Sequence, residues 1–200
     1  MKGMMLMMLC VLMFASAAIA QTTETIHPTT SIVSVWNEYQ TTDGGLDNFN
    51  VWANVWPSDG KFGFYLYTQG AQPSFTQTYG GPAVRMFDGQ FELGAGLGVE
   101  NVDGNVGLRR SVYGIVTHQK FSSANWYESS RNSGWWFLTQ DMYSVTPTLE
   151  AGYRLQRFLG GGPMVRYTAT FKNWAFQPYG AALYDGDRLN PILGFSMTHK

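Results

Sequence analysis

Past residue 10 the sequence contains no cysteine. Cys10 is the only one, and it lies in the amino-terminal apolar run. Small exported domains usually rely on disulfides to make up for a small core, so a scaffold of that kind is excluded. Charge is also scarce: 14% of residues are charged, with 13 basic against 14 acidic. That balance excludes the basic face a nucleic-acid partner would need. Beyond residue 20 no stretch reaches the roughly 20 apolar residues of a spanning helix, so a helical membrane protein is excluded. Nor does any stretch after residue 20 repeat its apolar residues at helical spacing. The three histidines, at 27, 118 and 199, have no thiol or carboxylate cluster around them. The sequence therefore offers no metal-ligand set, and no cofactor motif stands beside them.

The amino terminus is of another kind. Lys2 precedes an apolar run from Met4 to Phe14, and Ala18-Ile19-Ala20 supplies an A-x-A site. Residues 1–20 therefore read as a signal peptide cleaved before Gln21. The run is too short to anchor the chain as a spanning helix, and Met7-Met8-Leu9 before Cys10 is a poor context for lipid attachment. Residues 21–30, Thr-rich and containing Pro28, read as an extended tail. Residues 31–200 are left as a single domain, a length that closes one core without help.

What the sequence does have is aromatic residues, at 16%, and 23 glycines. It also has period-2 alternation. In the stretch 146–158, Leu149, Ala151, Tyr153 and Leu155 alternate with Thr148, Glu150, Gly152, Arg154 and Gln156. Such a strand has one apolar and one polar face. The same reading gives twelve candidate strands: 31–39, 48–56, 61–69, 78–87, 90–100, 106–118, 125–129, 134–143, 146–158, 163–172, 175–184 and 192–199. Ten is the nearest alternative. The links Pro57–Gly60, Asp88-Gly89, Ser144-Val145 and Asn173-Trp174 read as short turns, with Asp88-Gly89 the strongest hairpin signal. The links 40–47, 70–76 and 185–190 read as longer polar loops. The expected asymmetry is short turns at one end and longer loops at the other.

Two packings fit this alternation. In a soluble β-sandwich or carrier barrel the apolar face points inward, and the chain would bind a lipid or a sugar. In a transmembrane β-barrel the apolar face meets lipid and the polar face lines the lumen. The run 90–100 separates the two. It places Phe91, Leu93, Ala95, Leu97 and Val99 on one face, and Glu92, Gly94, Gly96, Gly98 and Glu100 on the other. A glycine face gives a soluble core nothing to pack. In a narrow barrel it leaves room for long side chains from neighbouring strands, or widens the lumen locally. The expectation is an all-β fold, a closed antiparallel transmembrane barrel. Leu93, Leu97, Leu149, Tyr153, Val165 and Leu193 should face lipid, and both termini should sit on one side.

The export signal, the cysteine-free domain and dyad runs such as L-G-A-G-L-G-V and L-E-A-G-Y-R-L resemble the small outer-membrane β-barrel proteins of Gram-negative bacteria. The resemblance is at the level of the class and covers the whole domain. It implies an outer-membrane location, contact with lipid and lipopolysaccharide, and delivery by the outer-membrane insertion machinery. One departure is the carboxy-terminal F-S-M-T-H-K, in which Phe195 is displaced inward from the end, where such barrels usually carry an aromatic residue.

The charged residues on polar faces are Arg85, Glu92, Glu100, Glu150, Arg154, Arg166 and Lys172, and these are the lumen-lining candidates. Bare charge inside a barrel is costly, so they either select solutes or pair with one another across strands. Arg85, Arg154 and Arg166 are long enough to reach Glu92 or Glu150. Arg109 and Arg110 are adjacent, so a straight strand points one of them outward; both read as interfacial, near lipopolysaccharide phosphates, unless a bulge turns them inward. Trp126, Trp135, Trp136 and Trp174 lie near run ends, as an aromatic girdle would, while Trp52 on a polar face is the candidate sugar platform. His118 with Ser122 or Ser123 lacks an evident orienting acid beyond Glu128, so no catalytic residue is assigned. The function expected is a small passive channel for ions or small polar solutes. The alternative is a plugged barrel that acts through its surface.

Overall fold

The computed structural model describes residues 30–40, 46–57, 60–71 and 74–199. The expected signal peptide and most of the expected tail lie outside the described residues; Thr30 opens the first strand. Thirteen strands follow: β1 Thr30–Gln40, β2 Leu46–Trp56, β3 Phe62–Ala71, β4 Phe75–Met86, β5 Phe91–Val102, β6 Asn105–His118, β7 Phe121–Ser130, β8 Trp135–Ser144, β9 Leu149–Gln156, β10 Gly160–Tyr167, β11 Ala169–Phe171, β12 Trp174–Tyr184 and β13 Leu189–His199.

Each strand pairs antiparallel with its sequence neighbour from β1 through β10. The ring closes because β1 also pairs with β13, and β10 pairs with β12. β10 and β11 are two parts of one stave. The register that matches Arg166 with Tyr179 runs on to match Ala169 with Phe176. By that register Pro178 stands opposite Tyr167, and proline has no N–H to give the ladder. The Thr168 backbone N–H donates instead to the Thr148 carbonyl on the other side, at 2.7 Å. The result is a barrel of twelve staves in one closed sheet with no free edge. A two-sheet sandwich is excluded by that closure.

The faces are inverted relative to a soluble protein. On β3, Phe62, Phe64 and Leu66 are exposed while Tyr65 and Tyr67 are buried. On β5, Leu97 and Val99 are exposed, at 62% and 54%, while Glu92 and Glu100 are at 7% and 1%. Tyr153, Val165 and Leu193 are exposed on the outer wall, and Leu149 is half-buried there.

The two rims are more alike than the sequence predicts. The rim that holds Thr30 and His199, here the terminal rim, carries the connections 87–90, 119–120, 145–148 and 172–173, and the link after Trp56, whose residues 58–59 lie outside the described residues. The far rim carries 103–104, 131–134, 157–159 and 185–188; the link 41–45 and residues 72–73 lie outside the described residues. The expected long loop at 70–76 shrinks because β3 runs to Ala71 and β4 starts at Phe75. The seventh strand likewise starts at Phe121, and the glycines at 160–162 belong to β10. Polar and glycine-rich residues read as loop, yet near a wet rim they pair as strand. Asp103-Gly104 is a two-residue turn, with φ of +51° and +85°. Positive φ at both central residues gives the twist that a two-residue hairpin needs. At Asp88-Gly89 the turn is wider, spanning Phe87–Gln90.

Candidate functional site

The polar faces converge on the lumen, and its two sides differ. Along β2–β6 many inward positions are aromatic: Trp52, Trp56, Tyr65, Tyr67, Tyr79 and Tyr113 belong to one buried cluster. Trp52 stacks on Tyr65 at 5.0 Å and meets Tyr113 edge-on at 4.8 Å. The glycine face of β5 makes this possible. A Cβ at Gly94 would fall within the ring of Tyr113, and one at Gly96 on the Tyr65 hydroxyl. The glycines therefore seat tyrosines and do not widen the lumen. Trp52 is 7% exposed, with most of its ring taken up by these neighbours.

Carboxylates anchor the cluster. Glu92 accepts hydrogen bonds from Asn54 Nδ2 at 3.0 Å, Tyr113 at 2.7 Å and Arg85 Nε at 2.9 Å. The Arg85 guanidinium also lies over the Trp56 ring, 3.8 Å from its centroid. Nearer the far rim, Arg109 donates to Glu100 at 2.8 Å and through two nitrogens to Glu128. Tyr79 donates to the other oxygen of Glu128 at 2.5 Å. Glu100 also accepts from the Ser133 backbone N–H at 3.0 Å and its hydroxyl at 2.7 Å. The turn 131–134 is thereby tied to the wall.

Of the lumen candidates, Arg85, Glu92, Glu100, Glu150, Arg154 and Arg166 point inward, and the pairs that form are local. Arg85 and Glu92 face each other in the β4–β5 register, and Arg166 and Glu150 do so between β10 and β9, at 2.7 Å. Neither arginine reaches across the lumen. Arg154 is buried and donates to Gln156 Oε1, from Nε at 3.1 Å. Lys172 is a correction. It sits exposed at the turn after β11 with φ of +51° and its ammonium over Phe171, because the strand ends before it.

The interfacial candidates divide. Arg109 is 3% exposed and points inward, so its expected interfacial place is corrected. No bulge is needed, since Arg110 simply takes the alternate outward position. Trp126 packs against the inner aromatic cluster and Trp136 lines the cavity described below, so neither is in a girdle. Trp135 and Trp174 do lie on the outer wall, exposed, beside Phe137 and His199 respectively. His118 is exposed at the terminal rim beside Gln90, far from the buried Glu128. No group of three metal-ligating side chains occurs among the described residues.

On the β8–β13 side Met142, Leu159, Met164, Ala181, Leu183 and Ile192 form a second buried cluster, and between the two clusters the lumen is open. A cavity of about 750 Å³ extends from Arg188, Ser133 and Phe158 at the far rim down to Ser196 and Thr198 near the terminal rim. Five arginines line it, at 109, 154, 157, 166 and 188, against one carboxylate, Glu128. Arg157 and Arg188 were missed in the sequence because both sit in rim turns, outside any alternating run. A basic residue in the turn after an alternating strand was the signal available for Arg157. Its guanidinium lies 3.7 Å from the Trp135 ring centroid.

No protein-family model matches the chain, and no curated protein matches it. Solved structures do. A structure described as "KdgM porin" is similar with a TM-score of 0.57 at 16% identity, over 84% of this chain and 98% of that one. The structure titled "KdgM porin in complex with disordered oligogalacturonate" gives 0.56 at 16% identity, over 84% and 98%. The NanC porin gives 0.56 at 9% identity, over 84% and 99%. The closed twelve-stave sheet, its apolar outer wall and these likenesses agree: the chain has the fold of a porin-like outer-membrane β-barrel.

Proposed function

We propose that the chain is a small passive channel of the outer membrane and that it favours anionic over cationic polar solutes. The observation that carries this reading is the wall of the cavity, where five arginines stand against one glutamate. Glu100 and Glu128 neutralise Arg109, Glu150 pairs with Arg166, and Asp185 pairs with Arg188. Guanidinium outnumbers carboxylate along that wall, and a low-dielectric wall focuses such a field on passing ions. The solved KdgM porin complex is titled with oligogalacturonate, an acidic oligosaccharide. Small acidic sugars and other carboxylates are the solute class this wall would suit.

In this reading the terminal rim is periplasmic and the far rim faces outward. Arg110 and Arg131 lie near that outer rim, with no hydrogen bond or ion pair among the described residues. They would meet headgroup and lipopolysaccharide phosphates.

Planar-bilayer recording tests the reading. Across a salt gradient the reversal potential should have the sign of anion preference, and Arg154→Ala should move it toward zero. A correctly folded barrel that conducts nothing would favour the second reading, a barrel working through its surface. The aromatic filling of the β2–β6 side supports that alternative.

A further inference from the structure

On most staves the outward positions are apolar, but β7 and β8 differ. Their outer positions include Ser123, Asn125, Thr139 and Asp141, whereas Gln140 and Met142 on β8 turn inward. The β7–β8 register sets Ser123 opposite Asp141 and Asn125 opposite Thr139, so the four form one block. Within it Asn125 Nδ2 donates to Ser123 Oγ at 3.0 Å, and Thr139 Oγ1 donates to Asn125 Oδ1 at 2.9 Å. Asp141 has no hydrogen bond or ion pair among the described residues.

The block lies inside the apolar belt. Toward the terminal rim it is bounded by Phe121 opposite Tyr143, and toward the far rim by Tyr127 opposite Phe137. On the β6 side Asn125 pairs with Gly114, which leaves the wall flat there. Facing acyl chains, the second amide hydrogen of Asn125 and the Ser123 hydroxyl hydrogen would lack acceptors, and a carboxylate would be worse. Aqueous exposure is not available between two aromatic rows.

We propose that this seam is where a second copy of the chain docks, side by side in the membrane, about a two-fold axis that runs along the barrel between β7 and β8. Such a rotation keeps every residue at its own depth and exchanges β7 with β8. The contact is therefore isologous. Ser123 of one copy then meets the partner's Asp141, a hydroxyl donor against a carboxylate acceptor, and symmetry repeats the bond. Asn125 meets the partner's Thr139, and its amide has both a donor and an acceptor to offer. The self-match argues for a second copy, since it answers all four side chains, whereas lipid answers none.

The proposal rests on the barrel spanning a membrane but not on its conducting solute. Residues 21–200 contain no cysteine, so Tyr127→Cys places one thiol per barrel beside the axis and leaves the polar block intact. Oxidation of membranes carrying the folded, heat-modifiable variant should yield a product of twice the chain mass. Leu97→Cys, on the outer wall of β5, should yield none. Adding Asp141→Leu to Tyr127→Cys should reduce the doubled product at least tenfold while heat-modifiable migration persists. Three results would overturn the proposal: a folded Tyr127→Cys barrel that never crosslinks, an adduct whose mass is not twice the chain's, or Asp141→Leu leaving the yield unchanged.

Discussion

Tyr79 on β4 donates its hydroxyl hydrogen to Glu128 on β7 at 2.5 Å, although β5 and β6 lie between their staves. The bond is a chord across the curve of the wall. It holds four consecutive staves to one curvature and delivers the carboxylate that Arg109 needs.

Removing that carboxylate should be costly. Glu128→Ala leaves Arg109, 3% exposed, with Glu100 as its remaining carboxylate, and leaves the Tyr79 hydroxyl without its acceptor. Breaking a buried pair on one side costs about 3–5 kcal/mol. Glu150→Ala, from the half-buried pair with Arg166, should cost about 1 kcal/mol or less. Urea unfolding of the two variants in vesicles measures the difference, and equal losses would mean that Glu128 is not structural.

The outer belt should reject charge. Leu97→Arg near the middle of the β5 belt should cost about 2–4 kcal/mol and lower the folded fraction. Gly152, on the inward register, offers no tolerant contrast. Its Cβ would meet the Asp141 carbonyl and the Met142 backbone, so any side chain there is excluded for steric reasons. Gln140, half-buried on the cavity wall, is the better inward control, and Gln140→Glu should fold at nearly wild-type yield.

The aromatic side should be the one that limits flow. Tyr113→Ala empties the space over Gly94, so the single-channel step should grow. An unchanged step would show that the ions pass only through the cavity.

At the far rim Asp185 accepts from the Arg188 and Asp187 backbone N–H groups, both at 3.0 Å, and from Asn190 Nδ2 at 3.0 Å. The Arg188 bond first, then the Asp187 bond and the Asn190 side chain, pull its pKa down to about 2. A depressed carboxylate contributes its stabilisation above the unfolded value of about 4 and loses it as pH falls through the folded one. The turn 185–188 should therefore keep its order to about pH 3 and loosen near pH 2. Spin-label mobility at position 187 reports this, and loosening already at pH 5 would contradict it.

Alternation made the barrel legible in the sequence. Runs such as Leu93, Leu97 and Val99 against Glu92 and Glu100 need only a side-chain period of two, which is local and survives any register. The inward carboxylates followed from the same parity, as did the split between Arg109 and Arg110. Parity also assigns Trp52 to the inside, yet says nothing of what meets it there. Trp126 and Trp136 read as girdle residues because run ends were taken as a guide to depth. Their parity, inward on β7 and β8, was the stronger signal.

Tertiary structure alone decided which inward groups meet. Tyr113 enters the space over Gly94, Tyr79 reaches Glu128 across two staves, and Arg157 comes in from a turn to line the cavity. These contacts depend on stagger and on the closure of β10 against β12. Strand-local periodicity carries no information about either. The sequence by itself determined the strand pattern and the facing of each side chain, because pleating is a property of neighbouring residues. Where the lumen is filled and where it is open depended on closing the sheet, because closure sets which remote side chains share a height.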